Sequence, residues 1–154
     1  MGLIVAGTGH RPEDCVSEGH ARVVAATVFR YKQVDVFISG MAAGFDLWAA
    51  DEALEQDIAV IAARPWAGHE PRVGDEELYQ KVLDLAQDVY DINDSKGFPG
   101  PWCYHDRNHW MVDSADAVMA YLNLEKESGG TYQCVKYAHK KAKPVNNVYY
   151  DPPF

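Results

Sequence analysis

Several residues suited to holding an anion stand directly after short apolar runs. Gly7-Thr8-Gly9 leads into His10 and Arg11, and a later run ends at Arg64-Pro65-Trp66. Between them lies Ser39-Gly40-Met41-Ala42-Ala43-Gly44-Phe45-Asp46, two glycines closed by an acid. Farther on, Arg107 precedes a fifth run, and Asn123 and Ser128-Gly129-Gly130-Thr131 follow it. Arginine grips phosphate or carboxylate through two parallel hydrogen bonds. Glycine lets backbone approach a ligand, and a helix N-terminus offers it free N–H groups. Any one of these loops is also ordinary turn chemistry. Together they point to one local site for a phosphate or carboxylate.

The elements that must position these residues alternate between strand and helix. Leu3–Ala6, Val34–Ile38, Ile58–Ala62, Asp88–Ile92, Ala117–Leu122 and Val145–Tyr149 read as strands, with Gly7-Thr8-Gly9 as a turn. Helical spacing predicts helices over Cys15–Lys32 and Leu47–Gln56, and another after Asp75, whose inner stripe is Leu78, Val82, Leu85 and Ala86. Two more are expected over Asp106–Ser114 and from a Thr131 cap to about Lys141. Asn93 to Trp102, with Gly97, Pro99, Gly100 and Pro101, reads as a long loop. The alternation implies an α/β fold, a doubly wound, mainly parallel sheet with helices on both faces. In such sheets ligands bind beyond the carboxyl ends of the strands, where the loops above converge.

Bulk properties bound the partners. The 154 residues, read as a single domain over 1–154, are 47% hydrophobic and 24% charged, the balance of a globular chain. The formal net charge of -9 argues against broad nucleic-acid binding, so nucleic acid is not an expected partner. No apolar run approaches a membrane span, and the start reads as a strand instead of a signal peptide. Cys15, Cys103 and Cys134 form no CxxC pair and read as free thiols of a cytoplasmic protein.

Familiar catalytic patterns fail. Pro12 stands near where a dinucleotide fingerprint wants its third glycine, and GxxxxGK[ST] is absent. Cys103-x-His105-x3-His109 has ligand-compatible spacing but lacks HExxH, so no metal or other cofactor is expected. Cys15 and Cys134 fall in predicted helices and read as packing residues. Trp66 could stack on a nucleobase or cover the core edge, whereas Trp110 reads as packing.

The segments GTGHRP, SGMAAGFDLWAADEAL, ARPWAGHE, RNHWMVDSADAVMAYLN and SGGTYQCVKYAHKKAKPV resemble, in this order, the YpsA-like branch of the SLOG superfamily. LOG-type phosphoribohydrolases and DprA belong to the same superfamily. The resemblance implies a Rossmann-like fold that binds a nucleotide or a nucleotide-derived sugar such as ADP-ribose. It implies ligand loops at Gly7–Arg11, Ser39–Asp46 and Gly129–Thr131, with Asp46 on a ribose hydroxyl or holding its loop. It also implies a homo-oligomer, and relatives in phages make a viral source an expectation. LOG-type enzymes carry PGGxGTxxE, but Cys134 stands here in place of the glutamate, so LOG hydrolysis is not implied. The reading is a binder that senses or sequesters a nucleotide derivative. Its rivals are an N-glycosidase using Asp46 or Asp116 and a DprA-like single-stranded DNA binder or scaffold.

Overall fold

A computed structural model describes residues 2–150; Met1 and residues 151–154, the ends of the expected domain, lie outside the described residues. Six strands form one all-parallel sheet: β1 (Leu3–Gly9), β2 (Val34–Ser39), β3 (Ala59–Arg64), β4 (Asp88–Asp91), β5 (Ala117–Tyr121) and β6 (Val145–Asn147). Their order is β4-β3-β2-β1-β5-β6. The chain winds outward from β1 to β4, then returns to the other side of β1. That reversal between β1 and β5 opens a crevice at the carboxyl edge of the sheet.

Five helices cover the two faces: α1 (Glu18–Tyr31), α2 (Phe45–Glu55), α3 (Glu76–Leu85), α4 (Trp102–Ser114) and α5 (Gly130–Lys140). Alternation along the strands divides the core. Val5 and Phe37 face Val24, Phe29 and Ala49 of α1 and α2, while Ala6 and Ile38 face Met111 of α4. Val112 of α4 and Ala138 of α5 pack together with Val118 beneath them. Fully burying side chains of this size is worth roughly 1.5–3 kcal/mol each, which fixes both helical layers on the sheet.

Among the boundaries that differ from the sequence reading, four have a clear local reason. β1 continues through Gly7-Thr8-Gly9, which pairs with Ser39 on one side and Met119 to Tyr121 on the other. Those glycines therefore serve close packing instead of a turn. A Cβ on Gly7 would lie 2.3 Å from the Phe37 ring, and one on Gly9 would lie 2.4 Å from Phe45. Before α1, Pro12–Asp14 makes a short 3-10 turn, and the Ser17 hydroxyl caps the helix by accepting from His20 N at 2.9 Å. Cys15 thus lies outside the helix. α4 begins at Trp102, four residues before the expected start, because Pro101 supplies the fixed φ that a first helical turn tolerates. Gly129, with φ 97°, occupies the cap position of α5, and Thr131 is buried in its first turn instead of capping it.

Candidate functional site

A cleft of about 880 Å³ opens at the crevice between β1 and β5. The connections that follow β1 to β5 and residues of α2, α4 and α5 wall it. Thr8 and Gly9 end β1, and His10 and Arg11 continue the rim. Met41 and Ala42 come from the β2–α2 connection, Asp46 from the first turn of α2, Arg107 from α4, and Ser128, Gly129, Gly130 and Thr131 from the approach to and start of α5.

The floor is an interlocked polar cluster. Ser39 Oγ donates to Asp46 O at 2.9 Å and accepts from Met41 N at 3.2 Å. This pin holds Met41 at φ 64°, a left-handed conformation unusual for a side-chain-bearing residue. Arg107, 7% exposed, donates through Nη1 to Gly40 O and through Nε to Asn108 Oδ1 at 2.9 Å. Gly40 lies between the two charges: a Cβ there would sit 2.8 Å from Asp46 Oδ2 and 3.1 Å from the Arg107 guanidinium. Asp46 is buried, and its Oδ1 has no hydrogen-bond partner among the described residues. Burial pushes its carboxyl up to about 6, against the pull of Arg107 and of the Ala42 and Gly9 backbone. Asp46 therefore takes up a proton just below neutral pH.

The α5 end of the cleft offers donors. No side chain caps the helix, and the first N–H returned to its own chain is that of Gln133, to Gly129 O. A Cβ on Gly129 or Gly130 would meet nothing within 4 Å, so the backbone faces open space. Three N–H groups at a helix N-terminus beside an arginine suit an anion. Arg11 is exposed, and among the described residues its guanidinium makes no hydrogen bond or salt bridge. The neighbouring cations are committed: Arg72 pairs with Glu13 at 2.8 Å and Lys126 with Asp14 at 3.2 Å.

Histidines complete the walls. His10 Nε2 accepts from Asn123 N at 2.9 Å, which puts the ring proton of the neutral form on Nδ1. Burial keeps His10 below its ordinary value. His69 bonds the Tyr79 hydroxyl at 2.8 Å, and that hydroxyl donates to His69 O at 3.0 Å. Burial, with Arg107 and Arg64 near, lowers His69 to about 4. The sign is that of a histidine kept neutral by folding. Its contribution is complete above the unfolded value near 6.5 and is lost as pH falls toward 4. In thermal melts from pH 7 to pH 4.5, His69→Gln should lose stability less steeply than the native chain, by on the order of 2 kcal/mol across the range. Parallel slopes would remove His69 as the source.

Other expected site residues lie off the cleft. The Arg64 guanidinium is held by Asp91 at 2.7 and 3.0 Å. Its partner is an acid of the neighbouring strand β4. Pro65 is buried, with its carbonyl accepting from Asn93. Trp66 centres an aromatic cluster with His69, Phe98 and Tyr104 at 5.0, 5.2 and 6.0 Å, one ring behind the wall. Asn123 spends its side chain on Glu125 N and the Tyr150 hydroxyl. Gly7, Ser39, Gly40 and Gly44 act beneath the surface as spacers and pins. Cys134, at the LOG glutamate position, packs against Val112 and Val118, and burial raises its thiol to about 11. Tyr104, which the sequence offers as a ring able to stack on a nucleobase, lines the cleft together with His105. His69 and Asn108 line it too and carry no sequence signal of their own; Asn108 is one turn from Tyr104 on α4, which begins earlier than its sequence suggests.

Comparisons with known proteins agree with this architecture. Residues 26–151 match the family model YpsA, described as the YspA SLOG family. No curated protein matches the chain in sequence. Among solved structures it is similar to DNA processing protein A from Helicobacter pylori, described for its single-stranded DNA binding mode, at 21% identity and a TM-score of 0.72. That match covers 93% of this chain and 63% of the other. DNA processing protein A from Streptococcus pneumoniae gives 17% and 0.68, over 92% and 49%. The molybdenum cofactor binding protein from Rippkaea orientalis gives 18% and 0.62, over 94% and 75%. The chain thus spans less than two thirds of either DNA processing protein. The likeness to a single-stranded DNA binder overturns the expectation that nucleic acid is not a partner. Net charge is a sum over the whole surface, whereas binding depends on local charge.

Proposed function

Because this chain belongs to the YpsA family of SLOG proteins, we propose that its cleft binds a nucleotide or nucleotide-derived ligand and serves to sense or sequester it. The observation that carries this reading is the uncapped N-terminus of α5, open at Gly129 and Gly130, facing the same cleft as Arg11 and Arg107. In this reading the α5 N–H groups and Arg11 take a phosphate. Arg107 supplies fixed positive charge from below. Asp46 accepts from a ribose hydroxyl, or donates to it when protonated.

A carboxylate in the cleft also keeps a second reading in view, cleavage of a base–ribose bond. One experiment separates the two. The protein is incubated with adenine and guanine nucleotides, NAD and ADP-ribose, and the bound fraction is separated, denatured and identified by mass spectrometry. An intact nucleotide derivative supports the binder. Free base with ribose phosphate assigns turnover, and then Asp46→Asn should abolish it. Recovery of nothing from the whole panel rejects the reading.

Arg11→Ala tests the phosphate contact directly. The guanidinium is exposed and unbonded, so the melting temperature should hold within a degree or two. Affinity for the recovered ligand, measured by calorimetry, should fall at least tenfold, the scale of one lost charge-assisted contact. Unchanged affinity would place the phosphate elsewhere.

A further inference from the structure

Outside the cleft, the exposed ridge where α4 meets α5 carries a second hollow of about 320 Å³. His105 and His109 line it from α4; Gln133, Lys136, Tyr137 and Lys140 line it from α5. Helical spacing puts each set on one face: i, i+4 on α4, and i, i+3, i+4, i+7 on α5. His105 and Gln133 line the main cleft as well, so the two hollows share a wall.

Two features of this ridge suit a nucleotide unit. The first is a flat aromatic platform. The His109 and Tyr137 rings stack at 3.9 Å and 18°, and the Tyr137 hydroxyl is tethered to both Asp113 oxygens at 2.9 and 3.0 Å. A tethered stack presents a rigid π-face to a base at little entropic cost. The second is charge. Lys136 and Lys140 are exposed, and neither makes a salt bridge among the described residues. Lys136 lies 6.0 Å from the Tyr132 ring, and Lys141 lies 5.7 Å from Tyr137. Asp113 is the acid held within this cluster, and its oxygens are engaged by Tyr137. In a chain of net charge -9, such a run of cations is a local reversal of sign.

We propose that the α4–α5 hollow is a second subsite, taking the next nucleotide unit of a ligand whose first phosphate lies at the start of α5. The inference rests on the nucleotide reading of the cleft and extends it to ligands of two or more phosphate-linked units. Gly130 and Lys136 are about 9 Å apart along the helix at 1.5 Å per residue, and the lysine side chain shortens the remaining gap. Lys136 and Lys140 hold the second phosphate, and the His109–Tyr137 stack carries the second base. A dinucleotide and a single nucleic-acid strand share this chemistry.

Calorimetry with AMP, 5'-phosphorylated diadenylate (pApA) and the matching adenylate hexamer tests it. The chains compared are the native protein, the double variant Lys136→Gln/Lys140→Gln and the remote control Lys32→Gln. The native protein should bind pApA at least tenfold tighter than AMP. The double variant should lose that advantage and keep its AMP affinity, which also shows that it is folded; the control should match the native protein. Hexamer binding tighter than pApA, with a steeper salt dependence, supports the subsite with a nucleic-acid strand as its source. Equal affinities support it with a dinucleotide. If pApA binds no better than AMP, or the double variant weakens both alike, the subsite is overturned and the cleft reading stands. If neither AMP nor pApA binds, the subsite is overturned, and the cleft reading is decided by the remaining guanine nucleotides, NAD and ADP-ribose.

Discussion

Replacing Arg107 with Met should cost about 3 kcal/mol of stability, the scale seen when one partner of a buried charged network is removed. Arg107 is 7% exposed, and its guanidinium reaches from α4 to the β2–α2 connection at Gly40. Its loss strips Gly40 O of its donor and Asn108 Oδ1 of a partner. It also removes the cation that opposes the burial penalty on Asp46, whose carboxyl would then rise above its present value of about 6. Asp46 and Arg107 form no salt bridge among the described residues, so the coupling runs through the field across Gly40. Urea unfolding of Arg107→Met, Asp46→Asn and the double variant measures that coupling. The double variant should be more stable than the sum of the single losses predicts, because neutral Asn no longer needs a cation. Strict additivity, or a loss under about 1 kcal/mol for Arg107→Met, would remove the network as a support of the cleft floor.

Gly44→Ala should be comparably severe for a different reason. Gly44 has φ 92°, and a Cβ there would lie 2.5 Å from His10 O, 2.8 Å from Pro12 N and 2.9 Å from Arg11 C. These are backbone atoms, which cannot swing aside as a side chain can. The Phe45 N–H bond to His10 O, 3.1 Å long, crosses the same contact. Strain and displacement together should cost about 3 kcal/mol or more, and they should move Arg11 off the rim. Gly74→Ala is the built-in comparison. Gly74 has φ 100°, but nothing lies within 4 Å of its Cβ position. It should show the conformational cost alone, about 1 kcal/mol. Equal losses at the two positions would mean that the close approach of His10 and Gly44 contributes nothing.

These two positions also show what the sequence made legible. The strand–helix alternation was readable because Val34–Ile38 and Ala117–Leu122 are short apolar runs bounded by polar residues, and the parallel sheet followed from it. The end of the sheet that carries the cleft was readable for the same reason. Roles within it were not. Gly44 and Gly40 both read as ligand glycines, yet one answers a backbone carbonyl and the other separates two buried charges. Arg64 and Arg107 looked equivalent. Asp91 on the neighbouring strand takes the first, while α4, starting earlier than its polar sequence suggested, buries the second. A sequence gives the residue and its loop. Which partner a long side chain meets depends on strand order, and that order is set by packing across the whole sheet.

The position of β1 has a kinetic side. It is the central strand, and its neighbours are β2, some thirty residues on, and β5, more than a hundred residues on, with Ile4 N reaching Asp116 Oδ2 at 2.9 Å. During synthesis β1 can pair early with β2, but its other edge stays open until β5 emerges. The cleft has the same schedule, since Arg107 and the start of α5 arrive after everything they close upon. Long-range parallel pairing is slow because loop closure precedes its reward. The nascent chain therefore carries an unpaired central edge while the more than one hundred residues between β1 and β5 are made, and that is its interval of greatest exposure to misassociation.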